Sequence, residues 1–139
     1  MADPNCVFCK IVAGQIPCMK VHEDDKILAF LDIGPLADGH LLIVPKDHAD
    51  RLEDMQAEVL AHLATQLPRL SRAVLQVTGA AGYNLLQNNG RVSGQEVPHV
   101  HFHIIPRADS DGLGYRWPAS SYPAGRGEEL CRLVTAALK

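Results

Sequence analysis

The chain has 139 residues and 47% of them are hydrophobic, which suits one domain with a sizeable core. A formal net charge of −3, with the 13 Lys and Arg residues scattered, argues against a nucleic-acid binder with a basic surface. No stretch approaches the roughly 18 apolar residues of a membrane-spanning helix, and the N-terminus MADPNCVFCK lacks the apolar region of a secretory signal. We therefore expect a cytoplasmic protein, with the nucleus as a second compartment, and reduced thiols.

The first half of the chain predicts a short helix, three strands and a long helix. Asn5 is the expected cap of a helix through CVFCKIVA that ends at Gly14, and MKVHEDDKILAFLDI predicts a hairpin whose turn is 23–25. HLLIVP predicts a strand stopped by its proline, and residues 50–77 carry apolar side chains at helical spacing. Asp50 and Glu53 resemble a capping box, and Pro68 should kink or split this helix.

The second half predicts two strands and a terminal helix. YNLLQN and HVHFHIIP are the strands, and a polar loop containing glycine joins them. EELCRLVTAALK predicts a helix after a tail rich in Pro and Gly. Together, these elements predict an α+β domain with an antiparallel sheet of about five strands and one long helix packed on it.

The most informative stretch is HVHFHII, residues 99–105, in which histidines alternate with apolar residues. A strand would place His99, His101 and His103 on one face and the apolar residues on the other. Three adjacent imidazoles are not easily protonated together, so they indicate a metal site or chemistry at neutral pH rather than three unrelated polar residues. The upstream loop NNGRVSGQEV offers backbone N–H groups to an anion, which favours phosphoryl transfer over a three-histidine zinc enzyme.

This stretch matches the pattern His-φ-His-φ-His-φ-φ, where φ is apolar, and the match extends to FLDIGPLADGHLLIVPKDH, NLLQNNG and RWP in order. From about Asn5 to Trp117 the chain resembles the nucleotide-binding branch of the histidine triad (HIT) family. The resemblance implies a HIT-like fold with a short N-terminal helix, a nucleotide-binding domain over residues 1–118, and a C-terminal extension over 119–139.

The resemblance also implies roles for individual residues. His101 resembles the nucleophile, His103 the group that contacts the scissile phosphate and leaving group, and His99 and His40 the supporting histidines. Asp32 resembles the carboxylate that binds the ribose hydroxyls, although by itself it would indicate a turn. The resemblance also implies an apolar purine slot formed by Val7, Phe8, Ile11, Phe30 and Ile33. It places Asn88, Gly94 and Val97 on the phosphate loop.

One position departs from the family pattern. The family often has Ser or Thr two residues after the loop glycine, as a donor to phosphate, and this chain has Glu96. An acid beside a phosphate is unfavourable unless it turns away or is protonated. Gln95 is the expected substitute donor.

The implied activity is hydrolysis of the P–N bond of purine nucleoside 5′-monophosphoramidates, through a nucleotidyl-His101 intermediate and without a metal in the chemistry. The alternatives are a dinucleoside polyphosphate hydrolase of the same superfamily and a non-enzymatic nucleotide-binding scaffold. The family pairs two sheets across a two-fold axis, so we expect a homodimer through the long helix and YNLLQN, with Trp117 near the partner's active site.

Cys6 and Cys9 have the C-x-x-C spacing of a zinc site and need two further ligands. Family members with a matching C-x-x-C hold zinc through such a set, and His48 and His99 are the residues that the resemblance implies here. The metal would be structural and would attach the N-terminal helix to the sheet. The alternative is two free buried cysteines that act as small hydrophobic residues.

Overall fold

The computed structural model describes residues 2–114 and 117–138. The α-helices are α1 (Val7–Val12), α2 (Ala57–Thr78) and α3 (Arg126–Ala137), and short 3₁₀ turns span Leu52–Asp54 and Arg91–Ser93. The strands are β1 (Lys20–Glu23), β2 (Ile27–Leu31), β3 (Leu41–Pro45), β4 (Gly82–Gln87) and β5 (Phe102–Arg107). They form one antiparallel sheet in the order β1-β2-β3-β5-β4, which confirms the predicted α+β class.

Both faces of the central strands are covered. All of β3 is buried, because α2 packs on one face of the sheet and α1 on the other. On the α2 side, Leu63, Leu70 and Val74 pack against alternate residues of β2, β3 and β5. On the α1 side, Phe8 packs with Phe30, their ring centroids 5.7 Å apart. The polar residues at the strand ends on the α1 side are left beside this helix, where they border a cavity.

The helix boundaries differ from those predicted. The N-cap of α1 is Cys6, whose Sγ accepts from the N–H of Cys9 at 3.4 Å, so the Asn5 cap is wrong. The long helix begins at Ala57 rather than at residue 50, because Met55 is extended after the 3₁₀ turn. The Asp50–Glu53 capping box is also wrong, since the carboxylate of Asp54 accepts from the N–H of Arg51.

Pro68 neither splits nor ends α2, which runs through it unbroken. Pro68 and Ala64, the residue whose carbonyl loses its helical partner, both lie on the exposed side of the helix. Water can therefore satisfy that carbonyl, and the packed face of α2 stays intact. Among the described residues, no helix is long and apolar enough to cross a membrane.

The histidine strand begins later than its sequence pattern predicts. β5 starts at Phe102, so His99 and His101 precede the strand and only His103 lies within it. Ile104 still points to the α2 core, with Phe102 packed against it. His99 is fully buried against α1, Phe8 of α1 contacts the rings of both His99 and His101, and His101 and His103 border the cavity on this side. The three histidines therefore share the α1 side, opposite Phe102 and Ile104, which confirms the predicted histidine face.

Candidate active site

A cavity of 620 Å³ opens on the α1 side of the sheet, bordered by α1, β2, β3, β5 and the loop that precedes His99. It combines polar strand ends with a broad apolar wall. Most of the predicted nucleotide contacts line it, namely Val7, Phe8, Ile11, Phe30, Asp32, Ile33, Asn88, Gly94, Val97, His101 and His103. The structure adds wall residues that the sequence pattern did not indicate, including Ile16, Pro17, Leu86 and Ile105.

His101 is held with one ring nitrogen committed and the other free. Its Nδ1 lies 2.7 Å from the backbone carbonyl of His99, which can only accept, so Nδ1 carries the proton and donates. Burial lowers the pKa of His101, which keeps the ring neutral at pH 7. Phe8 contacts the ring edge at a centroid distance of 5.0 Å. The unprotonated Nε2 therefore has a free lone pair, on a residue that borders the cavity, and can act as a nucleophile.

His103 is oriented by a chain of hydrogen bonds that begins at the backbone. The N–H of Leu36 donates to Nδ1 of His40 at 3.1 Å, so the proton of His40 lies on Nε2. That Nε2 is 2.9 Å from Nδ1 of His103 and donates to it, which leaves the proton of His103 on its own Nε2. Burial lowers the pKa of His103 to about 4. His103 is thus a neutral N–H donor at the cavity.

Asp32 lies beside this chain. Its Oδ1 accepts from the N–H of Gly34 at 2.8 Å, and its Oδ2 is 3.6 Å from Nε2 of His40. Ligand atoms of Asp32, His40 and His103 come within 4.8 Å of one another, as they do in a metal site. A metal on Nε2 of His40 would have to displace a proton that the N–H of Leu36 prevents from moving to Nδ1. This trio therefore suits hydroxyl and phosphate groups better than a metal ion.

The loop before His99 presents backbone donors. Gly94 has φ of +105°, and its N–H and that of Gln95 are used inside the loop, with Arg91 O and Gly90 O as acceptors. Within the described chain, the N–H groups of Glu96 and Val97 have no protein acceptor, and both residues line the cavity. Two successive free amides next to His101 can receive phosphate oxygens.

Gln95 does not play the predicted part. Its side chain is buried and fully engaged, with Nε2 donating to Asp50 O at 2.6 Å and Oε1 accepting from the N–H of Gly90 at 2.7 Å. It does not line the cavity with the histidines. The predicted phosphate contact of the Gln95 side chain is wrong, because this amide instead ties the loop to the segment after β3.

Comparison with known proteins agrees with this geometry. A family model described as "HIT domain" matches residues 13–110, more than half of the chain. The chain belongs to the HIT family. It is 47% identical over 120 residues to an adenosine 5′-monophosphoramidase of Schizosaccharomyces pombe, covering 86% of each chain. It is 45% identical to an adenylylsulfatase of Arabidopsis thaliana, covering 84% of this chain and 58% of that longer protein.

Solved HIT structures show the same fold. A HIT family protein from Bacillus anthracis superposes with a TM-score of 0.91 at 38% identity, each chain covered completely. A zinc-bound histidine triad family protein from Mycobacterium smegmatis superposes with a TM-score of 0.74 at 38% identity, covering 96% of this chain and 93% of that one. The protein is a HIT-family hydrolase with the HIT fold.

A second cluster of this HIT protein lies behind the cavity. Ligand atoms of Cys6, Cys9, His48 and His99 all lie within 4.8 Å of one another. Nε2 of His99 donates to Pro45 O at 2.8 Å, and Nε2 of His48 donates to Oδ1 of Asp50 at 2.7 Å. In its neutral form, each ring therefore turns an unprotonated Nδ1 toward the two thiols.

The two Nδ1 atoms are 3.2 Å apart, and Sγ of Cys6 and of Cys9 lie 3.4 and 3.3 Å from Nδ1 of His99 and His48. Burial lowers the pKa of His99 to about 4, which favours its neutral, ligating form. Two imidazole lone pairs and two sulfurs around one point match the donor set that structural zinc sites use, so these residues fit such an ion.

Sequence reasoning missed the groups that fix the histidine tautomers. These groups are the carbonyls of Pro45 and His99 and the N–H of Leu36. They are backbone atoms, present at every position, so no residue type marks them. Asp50 carries a readable signal, because a carboxylate two residues after a ligating histidine commonly orients its ring.

Proposed function

We propose that the protein hydrolyses purine nucleoside 5′-monophosphoramidates to a nucleoside monophosphate and an amine, through a nucleotidyl intermediate on His101. The observation that carries the proposal is the free Nε2 of a neutral His101, whose other nitrogen is bound to the carbonyl of His99. The 47% identity to an adenosine 5′-monophosphoramidase supports it.

In the first step Nε2 of His101 attacks phosphorus and the P–N bond breaks. The free amides of Glu96 and Val97 hold the two non-bridging phosphate oxygens, and Nε2–H of His103 donates to the bridging 5′ oxygen or to the leaving nitrogen. Since the Leu36–His40–His103 chain holds His103 neutral, the leaving nitrogen departs with a proton that it already carries in the N-protonated substrate. The products are a free amine and a phosphorylated imidazolium that keeps its Nδ1–H bond to His99.

In the second step water attacks the same phosphorus atom and the bond to Nε2 of His101 breaks. The water loses one proton to solvent, and the nucleoside monophosphate leaves with the ring restored to its neutral form. The purine lies between the apolar residues of α1 and β2, including Phe8 and Phe30, and Asp32 accepts from the ribose hydroxyls.

Two other functions share part of this site. A dinucleoside polyphosphate hydrolase would use the same nucleophile with an anionic nucleotide as leaving group, and one relative of this chain is named an adenylylsulfatase. A non-enzymatic scaffold would need the purine slot but would not need a fixed orientation of the His101 ring. The bond from His101 to His99 has no role in a scaffold, which favours an enzyme.

These functions can be distinguished by offering the protein three competing substrates and measuring which one it hydrolyses. Purified protein receives equimolar adenosine 5′-phosphoramidate, adenosine 5′-phosphosulfate and diadenosine triphosphate, and AMP production from each is followed by chromatography. We expect the phosphoramidate to be consumed first. Preferential cleavage of the dinucleotide would assign the alternative hydrolase, and tight AMP binding without turnover of any of the three would assign the scaffold.

We also propose that Cys6, Cys9, His48 and His99 hold one structural zinc ion. The donor set fits because both imidazoles present Nδ1 and both sulfurs lie within 3.6 Å of one of these atoms. The zinc-bound M. smegmatis relative supports this assignment. Bound zinc would take two thiolates in place of two thiols, releasing their protons, and would attach α1 to the segment after β3.

A homodimer is the third proposal. β4 is an edge strand of the described sheet, and Tyr83 and Leu85 on it are 39% and 49% exposed. An exposed apolar edge of this kind is usually covered by a partner. Trp117 is 83% exposed and remains the expected contact with the partner's active site.

A further inference from the structure

The cavity carries an unusual charge for a site that binds phosphate. Among the described residues that line it, the carboxylates are Asp32 and Glu96, and none is Lys or Arg. Asp32 is engaged by Gly34 and His40. Glu96 is exposed, and within the described chain its carboxylate forms no hydrogen bond or ion pair. Among the described residues, no cation therefore compensates the charge of Glu96 at this anion site.

The carboxylate of Glu96 lies on the side of the cavity that holds His101, the proposed nucleophile. Glu96 follows Gly94 on the phosphate loop and lies within electrostatic reach of His101. Arg91 and Glu96 border a shallow neighbouring hollow together, but no ion pair joins them. The apolar purine wall lies on α1 and β2, so the open, acidic side of the cavity is left for the other half of the substrate.

We propose that Glu96 selects substrates by the charge of their leaving group, in favour of phosphoramidates whose amine half carries a further cationic ammonium group. This inference rests on the function proposed above and names its substrate class. A carboxylate attracts such an ammonium and repels a sulfate or nucleotide leaving group. When two partly exposed unit charges lie about 6 Å apart, their interaction changes a binding constant by roughly three- to thirty-fold.

The test measures charge preference with and without the carboxylate. The probes are three stable adenosine 5′-phosphate esters whose tails end in an ammonium, a methyl or a carboxylate group, titrated by calorimetry. The proteins are wild type, Glu96→Gln, and Glu58→Gln, which removes an equal charge from an exposed position on α2 away from the cavity. The same three proteins are assayed with phosphoramidates that bear the matching tails.

We expect wild type to prefer the ammonium ester over the carboxylate ester. The methyl ester is the reference, because all three esters carry the same anionic phosphate; relative to it, Glu96→Gln should weaken the ammonium ester and strengthen the carboxylate ester, each by roughly three- to thirty-fold. Glu58→Gln should keep the wild-type ratio, and about 1 M salt should shrink it. An unchanged ratio in Glu96→Gln, or equal weakening of all three esters, would overturn the inference. Because the esters report binding alone, absence of phosphoramidate turnover would contradict the proposed function without altering the charge preference that the esters measure.

Discussion

At the scale of single residues, the site depends on which ring nitrogen carries a proton. Backbone partners decide this for His101, His40 and His99, and the carboxylate of Asp50 decides it for His48. In the proposed function, one imidazole is thereby the nucleophile, one is a relay, and two hold the zinc ion. The same residue type therefore serves three purposes because its neighbours differ.

Removing the nucleophile separates chemistry from binding. We expect His101→Ala to abolish turnover of adenosine 5′-phosphoramidate and to leave AMP affinity within about tenfold, because Asp32 and the apolar wall are untouched. Steady-state kinetics and calorimetry measure the two effects. Near-normal turnover by His101→Ala would assign the nucleophile to another residue.

The half-buried, neutral His103 makes stability depend on pH. Its folded pKa of about 4 is below the unfolded value near 6.5, so the unfolded chain binds more protons between these values. Stability is complete above pH 6.5 and is lost as pH falls toward 4, by about 1–2 kcal/mol at pH 5. The groups that face His103 are His40, His101 and Asp32, and burial outweighs the opposing effect of the carboxylate.

Thermal unfolding at pH 7 and pH 5 checks this effect. We expect the melting temperature of wild type to fall by several degrees more than that of His103→Asn, which has no proton to gain. Equal falls in the two proteins would show that His103 does not contribute.

At the scale of elements, α2 is held by its buried face. Leu63 is fully buried against β2, β3 and β5, and Val77 on the same helix is 86% exposed. Leu63→Ala should lower the free energy of unfolding by about 2–5 kcal/mol, and Val77→Ala should change it by less than about 0.5 kcal/mol. Denaturant titration compares them. Similar losses in both variants would contradict the packing of α2 on the sheet through this face.

The proposed zinc ion would add to the apolar packing that holds α1 on the sheet. Protein purified without added metal should contain about one zinc per chain. Cys6→Ser/Cys9→Ser should lose the zinc and melt at a lower temperature while still turning over substrate, and Cys131→Ser, an exposed position on α3, should keep both properties. Metal-free wild type with reduced thiols would end the zinc assignment.

Element types can be predicted from the sequence, but their boundaries cannot. The alternation in HVHFHII indicates that neighbouring residues face opposite ways, yet it does not show that the strand starts after His101. The carbonyl of Pro45 that binds His99 lies 54 residues away in the sequence, and His40, which orients His103, lies 63 residues away. In the sequence, the position of Gln95 on the loop suggests that its side chain contacts the ligand. The folded chain instead brings the side chain to Asp50 and Gly90, and the sequence pattern does not indicate this.

At the scale of the whole molecule, the sheet edge at β4 predicts a dimer. Leu85→Asp should place a charge in the proposed interface and give a monomer by sedimentation, while wild type sediments as a dimer at micromolar concentration. Met19→Lys changes an exposed apolar residue just before the opposite edge strand and should remain dimeric. A monomeric wild type would contradict the expectation.

The central claim is that two displacements occur at one phosphorus atom, with His101 between them. The direct measurement is the configuration of the product when a phosphorothioamidate of one configuration at phosphorus is hydrolysed in heavy-oxygen water. Attack by His101 and then by water inverts phosphorus twice, so we expect overall retention. Inversion would show that water attacks the substrate directly and would contradict the nucleotidyl-His101 intermediate.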